Sequence, residues 1–392
     1  MTVFDKLATP QPLGSGLILQ PVGLRVLDEI GVGDRLRTTG AAIERLYGRT
    51  VLGDAVVLDV RYSALGADAP TGVAVHRGAL FDALYHAAQQ SGAAFEVNSE
   101  VTSVEEGRLR FANGCESARF DLVIDALGMR SPLSRTPRAP LDYGALWTNV
   151  ALGDGFDGAA LEQRYEQARK MAGVLPIGGG QAAFFWSLKH ADVARWRATP
   201  LAAWKDEVHA LWPQTAPLLE QLSSHDDLVF ASYAHRTLAS PVAPKLAHVG
   251  DSWHCTSPQL GQGANMALLD ALALARALEA QRDLETALGE YARLRLWHIR
   301  LYQAASWMFT PAYQSDSAAL AWLRDRIVAP LSRIPPAPRI LAALVAGQIG
   351  APLQAIDALR VRSRAGAAQM RSQTELGPRR SGEAALGGRR GA

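Results

Sequence analysis

The stretch Leu246-Ala-His-Val-Gly250-Asp251-Ser-Trp-His254-Cys-Thr-Ser-Pro258-Gln-Leu-Gly261-Gln-Gly263-Ala-Asn265-Met-Ala-Leu-Leu-Asp270-Ala decides how the rest of the chain reads. Leu246–Gly250 is a short buried strand and Asp251 an acidic turn. Pro258 to Gly263 is a loop with two glycines, and it opens a long Ala/Leu helix from about Gly263 to Glu279. Exposed amides at a helix N-terminus bind anions. Glycines let backbone approach a ligand closely, and a carboxylate at a strand end accepts hydrogen bonds from hydroxyls. An ordinary strand-to-helix turn does not require three glycines, a proline and an acid at these spacings.

Working outward, strands alternate with helices early and late in the chain. Thr2-Val3-Phe4 reads as the last half of a buried strand, running into Asp5-Lys6 and a proline-bearing loop. A helix over about Gly23–Ile30 is stopped by Gly31 and Gly33, and His76–Ser91 is helical and amphipathic. Residues 43–62 alternate as strands, Val101–Phe111 forms two short strands around Gly107, and Phe120–Ala126 is an apolar strand. Residues 143–236 mix strands with helices. Residues 284–360 are mostly helical, broken by Pro311, Pro330 and Pro335-Pro336.

This order predicts an α/β protein: a nucleotide-binding domain assembled from discontinuous segments (1–42, 76–142 and 237–283) with a β-sheet substrate domain (43–75 and 143–236) inserted. A helical region, 284–361, follows, and then a basic tail, 362–392, too poor in apolar side chains to order itself.

The 392 residues are 48% hydrophobic and 20% charged, a globular profile. Net charge is +2, but residues 360–392 hold eight Arg against two Glu, so the rest of the chain is acidic. The basic pI therefore belongs to the tail and implies no nucleic-acid surface. Two cysteines, Cys115 and Cys255, form neither a disulfide framework nor a zinc site, which fits a cytoplasmic setting. The uncharged stretch Ile340–Ile356 is interrupted by Gly, Gln and Pro and falls short of the ~20 apolar residues of a spanning helix. A packed helix plus a turn is expected there, without a membrane contact.

The 246–271 segment closely resembles the second flavin-binding motif of the FAD-dependent aromatic hydroxylases, the p-hydroxybenzoate hydroxylase family, with Ser252 where that family usually has Ala. The resemblance implies an FAD/NAD(P)-binding, Rossmann-like domain. Asp251 would contact the ribityl or pyrophosphate part of FAD, and Pro258, Gly261 and Gly263 would line the flavin ring edge. The loop's amides, with Asn265 at the helix start, would face the pyrimidine side. Asp5, after the second strand of that fold, takes the place of an acid that holds the adenosine ribose, and Arg77 matches an arginine that reaches FAD. His254 is mainly structural in the family motif.

Two segments depart from the family. Asp121-Leu-Val-Ile-Asp125-Ala-Leu127-Gly128-Met-Arg-Ser131 has Leu127 in place of an acid associated with FAD and NAD(P)H binding. Asp125, on the same face if the chain is extended, is the candidate substitute. No G-x-G-x-x-G stands near residue 1; Gly14-Ser-Gly16 follows the second strand. The resemblance covers about residues 2–360, and roughly thirty residues that open the family fold have no counterpart. Met1 also stands where the family has Val. On this reading the start is secondary, and the chain as it stands is expected to hold FAD weakly.

The resemblance implies a flavin-dependent monooxygenase. NAD(P)H would reduce FAD, and dioxygen would be used to hydroxylate or epoxidise an apolar cyclic or aromatic substrate. Trp147, Phe184, Phe185 and Trp186 are candidates for an aromatic pocket. Neither a G-x-S-x-G nor a metal spacing occurs, and no metal is expected. The W-x-W-x-I-P segment of flavin halogenases is absent. Two alternatives stay open: a reductase on the same fold, and a non-catalytic remnant that no longer holds FAD, which the colour of the purified protein separates.

Overall fold

The computed structural model describes residues 1–11, 14–137 and 139–359; the basic tail foreseen over 362–392 lies outside them. Parallel pairing builds the part that carries the motif. Thr2–Phe4 pairs with Ala94–Glu96, and Val123–Asp125 pairs with Leu246–His248, which Val242–Ala243 flanks antiparallel. Among the described residues these two groups do not pair with each other, and Ile124 stays 45% exposed. A third small sheet joins Gly16–Leu19, Gly72–His76 and Ala41–Ile43, all antiparallel.

The largest sheet has seven strands. In spatial order they are Val229–Ala231, Tyr143–Ala151, Gln181–Lys189, Lys170–Gly178, Ala160–Glu166, Arg45–Thr50 and Val56–Arg61. One pairing in it is parallel, Ala160–Glu166 with Arg45–Thr50, and it joins residues more than a hundred positions apart. Side chains alternate across this sheet as the pleat requires. Leu146, Val150, Phe184 and Trp186 face the helices Val193–Ala198, Leu201–Leu211 and Ala216–Glu220, where Trp196, Trp204 and Trp212 complete a core. Phe185 faces the other way, with Tyr165, Met171 and Val57, and Trp147 packs against this group.

The helix Pro21–Ile30 ends at Gly31, whose φ of 83° is the left-handed cap glycine favours. Arg77–Gln90 and Gly263–Ala280 fall where the apolar spacing puts them. Pro311 does not break its helix, which runs from Leu284 to Tyr313. Pro330 does not break its stretch either: it follows directly on the wider turn Arg324–Val328, within Ala329–Leu331. Ala337–Val345 and a helix over 352–359, separated by a turn, account for the uncharged stretch.

Candidate active site

The loop from Gly250 to Gly263 is shaped by its glycines and by what it is tied to. Gly250 (φ 59°) turns the chain over the helix, where a Cβ would come within 2.9 Å of Ala267. Ser252 donates to the Asp125 carbonyl at 2.6 Å. His254–Cys255 pairs with Ala234–Thr237, and the turn Pro258–Leu260 is closed by Gly261 in the left-handed region (φ 61°). Gly263 differs: its φ is ordinary, and a Cβ there would meet nothing nearer than the Asp251 carboxylate at 4.0 Å.

Met266 N–H to Gln262 O, 2.9 Å, is the first bond of the helix Gly263–Ala280. The amides of Gly263, Ala264 and Asn265 therefore have no acceptor within the helix, and no side chain caps this end. Three donors and the positive end of an 18-residue dipole face the loop. The Asn265 side chain is turned inward. Its Oδ1 accepts from Gln20 N at 2.8 Å, and its Nδ2 donates to Ile18 O (3.1 Å) and Gly261 O (3.0 Å). It clamps the strand Gly16–Leu19 to the loop, and what it leaves for a ligand is its backbone amide.

Asp251, at the start of the loop, is exposed to solvent on part of its surface. Desolvation raises its carboxyl above the ordinary range, although His254, Arg77 and Arg236 pull it the other way. None of the described donors bonds that carboxylate. Arg77, the first residue of its helix, is exposed; its amide bonds Ser15 O at 2.9 Å, and its side chain runs beside Gly14. The Arg77 charge also reaches Tyr233, whose hydroxyl burial pushes up to about 12 and which accepts from Trp147 Nε1 at 2.8 Å. Trp147 lies 4.6 Å from the Phe185 ring. The Arg77 charge is thus felt both at Asp251 in the glycine loop and at Tyr233, which bonds Trp147 on one aromatic face of the large sheet. The other two candidates, Phe184 and Trp186, are on the opposite face, in the helix-covered core, because alternation divides neighbouring residues.

Asp5 stands apart, at the C-terminal end of a parallel strand, with its Oδ1 accepting from Leu7 N at 2.7 Å. Asp125 does not substitute for the acid missing at Leu127. It is fully buried, its Oδ2 bonded to His248 Nδ1 (2.8 Å) and Ser131 Oγ (2.7 Å) and its Oδ1 to Leu127 N. The strand ends at Asp125, and Leu127 (φ −74°, ψ 3°) has left the extended region, so the two side chains do not share a face.

Sequence reasoning missed two groups. Arg236 is buried and donates to the carbonyls of Asp251 and Ser252, holding the acidic turn in place. Asp270 is buried between His254 Nε2 (2.6 Å), Gly250 N (2.9 Å) and Arg295 Nε (2.8 Å). Burial alone would raise the Asp270 carboxyl, but His254 and Arg295 outweigh it and hold it low. Asp270 belongs to the motif and was visible; Arg295, 25 residues on, carried no local signal. Among the described residues no group of His, Cys, Asp and Glu is arranged to hold a metal.

The free amides, the uncovered Gly263 and the desolvated, unbonded Asp251 carboxylate fit a polyhydroxylated cofactor with an electron-rich ring edge. The comparisons agree. A family profile described as FAD binding domain matches residues 1–291. A putative 2-heptyl-3-hydroxy-4(1H)-quinolone synthase of Rhodococcus erythropolis is 28% identical over 295 residues, 71% of this chain and 73% of that protein. The aurachin C monooxygenase/isomerase of Stigmatella aurantiaca is 23% identical over 350 residues, 84% and 88% of the two chains. In structure, HpxO of Klebsiella pneumoniae, solved with FAD and uric acid, superposes with a TM-score of 0.73 at 20% identity, covering 88% of this chain and 90% of that one. The chain belongs to the FAD binding domain family, as a flavin-dependent oxidoreductase of the aromatic-hydroxylase type of monooxygenase.

Proposed function

We propose that this flavoprotein uses NAD(P)H and dioxygen to hydroxylate or epoxidise an apolar cyclic or aromatic substrate, a fused nitrogen heteroaromatic ring being the class that fits best. The observation that carries the reading is the uncapped helix start at Gly263, with open space above it beside Asp251; the Trp147–Phe185 pair of the large sheet supplies a candidate aromatic face for the substrate. One relative named above is a putative synthase of a 4(1H)-quinolone and HpxO was solved with uric acid, both compounds with fused nitrogen rings.

Bound FAD supplies two-electron redox chemistry and the use of dioxygen; the residues of this chain bind, orient and exclude water. Asp251 accepts from ribityl hydroxyls, and Asp5 from the adenosine ribose. The unpaired amides of Gly263, Ala264 and Asn265 would hold an electron-rich edge of the cofactor and offer fixed dipoles to negative charge there. Arg77 adds a positive charge felt at Asp251. Gly261 and Gly263, with Pro258, leave room for the ring. Tyr233, neutral at physiological pH, holds Trp147 through its indole N–H beside Phe185, and that aromatic wall would keep water from the reacting atoms. On this reading residues 1–42, 76–142 and 237–283 carry the cofactor, and 43–75 with 143–236 carry the substrate.

The test is turnover of a 4-quinolone by the purified protein with FAD, NADH or NADPH, and isotopically labelled dioxygen. One labelled oxygen atom in the product is the expected result. Substrate reduced at the expense of NAD(P)H, with no label, would make the protein a reductase.

A further inference from the structure

We infer that the surface built by residues 318–340 docks on an anionic lipid bilayer. This reading is independent of the reaction, and it revises the expectation drawn from the stretch 340–356 alone. Residues 318–331 form one continuous helical run: Ala318–Leu323, the wider turn Arg324–Val328, and Ala329–Leu331. Its inner side is fixed. Ala321 and Ala329 are buried, and Arg324 donates to the carbonyls of Ala312 and Gln167 while stacking over Tyr165 and Tyr313. Its outer side carries Trp322 (59% exposed), Leu323, Ile327, Val328 and Leu331 (57%), continued by Ile334. Scattered exposed apolar residues are ordinary, but this many large ones on one short run mark a contact surface.

The charges say what the surface meets. Between 318 and 345 the exposed ionisable side chains are Arg326, Arg333 and Arg339. The one acid there, Asp325, is taken up by Arg324 Nε at 2.7 Å. An apolar face with tryptophan, rimmed by arginine and without free acids, is the composition that binds the headgroup region of anionic membranes. A second copy fits less well, because a two-fold contact would set these arginines against their own counterparts with no carboxylate to pair them. No described helix is long and apolar enough to cross a membrane, so the contact is peripheral.

The experiment is co-sedimentation of the full chain with vesicles of phosphatidylcholine, alone or mixed with phosphatidylglycerol, at low and high salt. Binding to the mixed vesicles, weak binding to phosphatidylcholine and release by salt are expected. The double substitution Trp322→Glu with Leu331→Glu should lower the vesicle partition coefficient about tenfold or more, and Arg326→Glu with Arg333→Glu, which spares every apolar contact, should do the same. Val229→Glu, on the opposite edge of the large sheet, should change nothing. The proposal is overturned if the parent partitions equally onto both vesicle types, or if both double variants bind as the parent does. It is equally overturned if a concentration-dependent dimer covers Trp322 and no vesicle binding is seen.

Discussion

Asp251 and His254 are three residues apart in one loop, and their surroundings assign them opposite duties. The Asp251 carboxylate is desolvated and bonded by none of the described donors, so it is poised for a ligand's hydroxyls and adds little to the folded state. Asp251→Ala should therefore weaken flavin binding at least about tenfold, from one or two charge-assisted hydrogen bonds of ~1.5–3 kcal/mol each, and leave the melting temperature of the free protein no lower, since it removes a desolvated, unpaired charge. His254 is buried against Asp270 and the Trp253 ring. His254→Ala should lower the melting temperature, yet leave flavin affinity within about threefold, a change of under 1 kcal/mol, in the folded fraction. Flavin fluorescence titration paired with thermal melts reads both. If His254→Ala loses flavin with its melting temperature intact, the two roles are reversed.

At the scale of elements, the loop's two glycines separate a backbone requirement from a space requirement. Gly261 needs its left-handed φ, where a β-branched residue is strained by about 1–2 kcal/mol or more. Gly261→Val should thus melt earlier even without ligand. Gly263 begins the helix with ordinary φ and open space above it, and valine and glycine differ there by only a few tenths of a kcal/mol. Gly263→Val should keep the melting temperature within a degree or two and abolish flavin binding; retained flavin would show that the ring does not lie over this position. The loop was legible because its requirements are local: glycines, a proline and a helix start within two turns of chain. The strand–helix order was legible for the same reason. What was not legible depends on contacts far apart in sequence. Nothing local pairs Ala160–Glu166 with Arg45–Thr50, and nothing near Asp270 announces Arg295. Asp125 misled because sharing a face with position 127 requires an extended chain, and the chain turns after Asp125. Pro311 misled only in where the break falls: it gives up its own bond to the carbonyl four residues back, and the helix stops two residues later, at Tyr313.

Over the whole molecule, the motif helix is fastened to the rest by a buried polar chain: Asp270 on Gly263–Ala280, Arg295 and His298 on Leu284–Tyr313. Arg295 donates through Nη1 to His298 Nδ1 at 2.9 Å. Removing the carboxylate would leave a buried guanidinium unpaired, so Asp270→Asn should cost about 3–5 kcal/mol in urea unfolding. The same chain makes the fold acid-sensitive. Burial, with the Arg295 charge second, depresses His298 from the ordinary 6.5 to about 3. As pH falls below 6.5 the unfolded chain binds a proton that the folded chain refuses. Stability is therefore complete above that value and drops by up to ~1.4 kcal/mol per pH unit towards the folded value. Asp270, held low, loses its contribution only further down, as pH falls through its own depressed range. His235, lowered by burial, slopes in the same direction as His298. His298→Asn keeps an acceptor for Arg295 but cannot titrate. Its unfolding free energy should lie within ~1–2 kcal/mol of the parent at pH 7, and its slope between pH 6.5 and 4 should shrink to what His235 and the carboxylates leave. A parent whose stability is flat across that interval, or a variant with the parent's full slope, would remove His298 from the account of acid sensitivity.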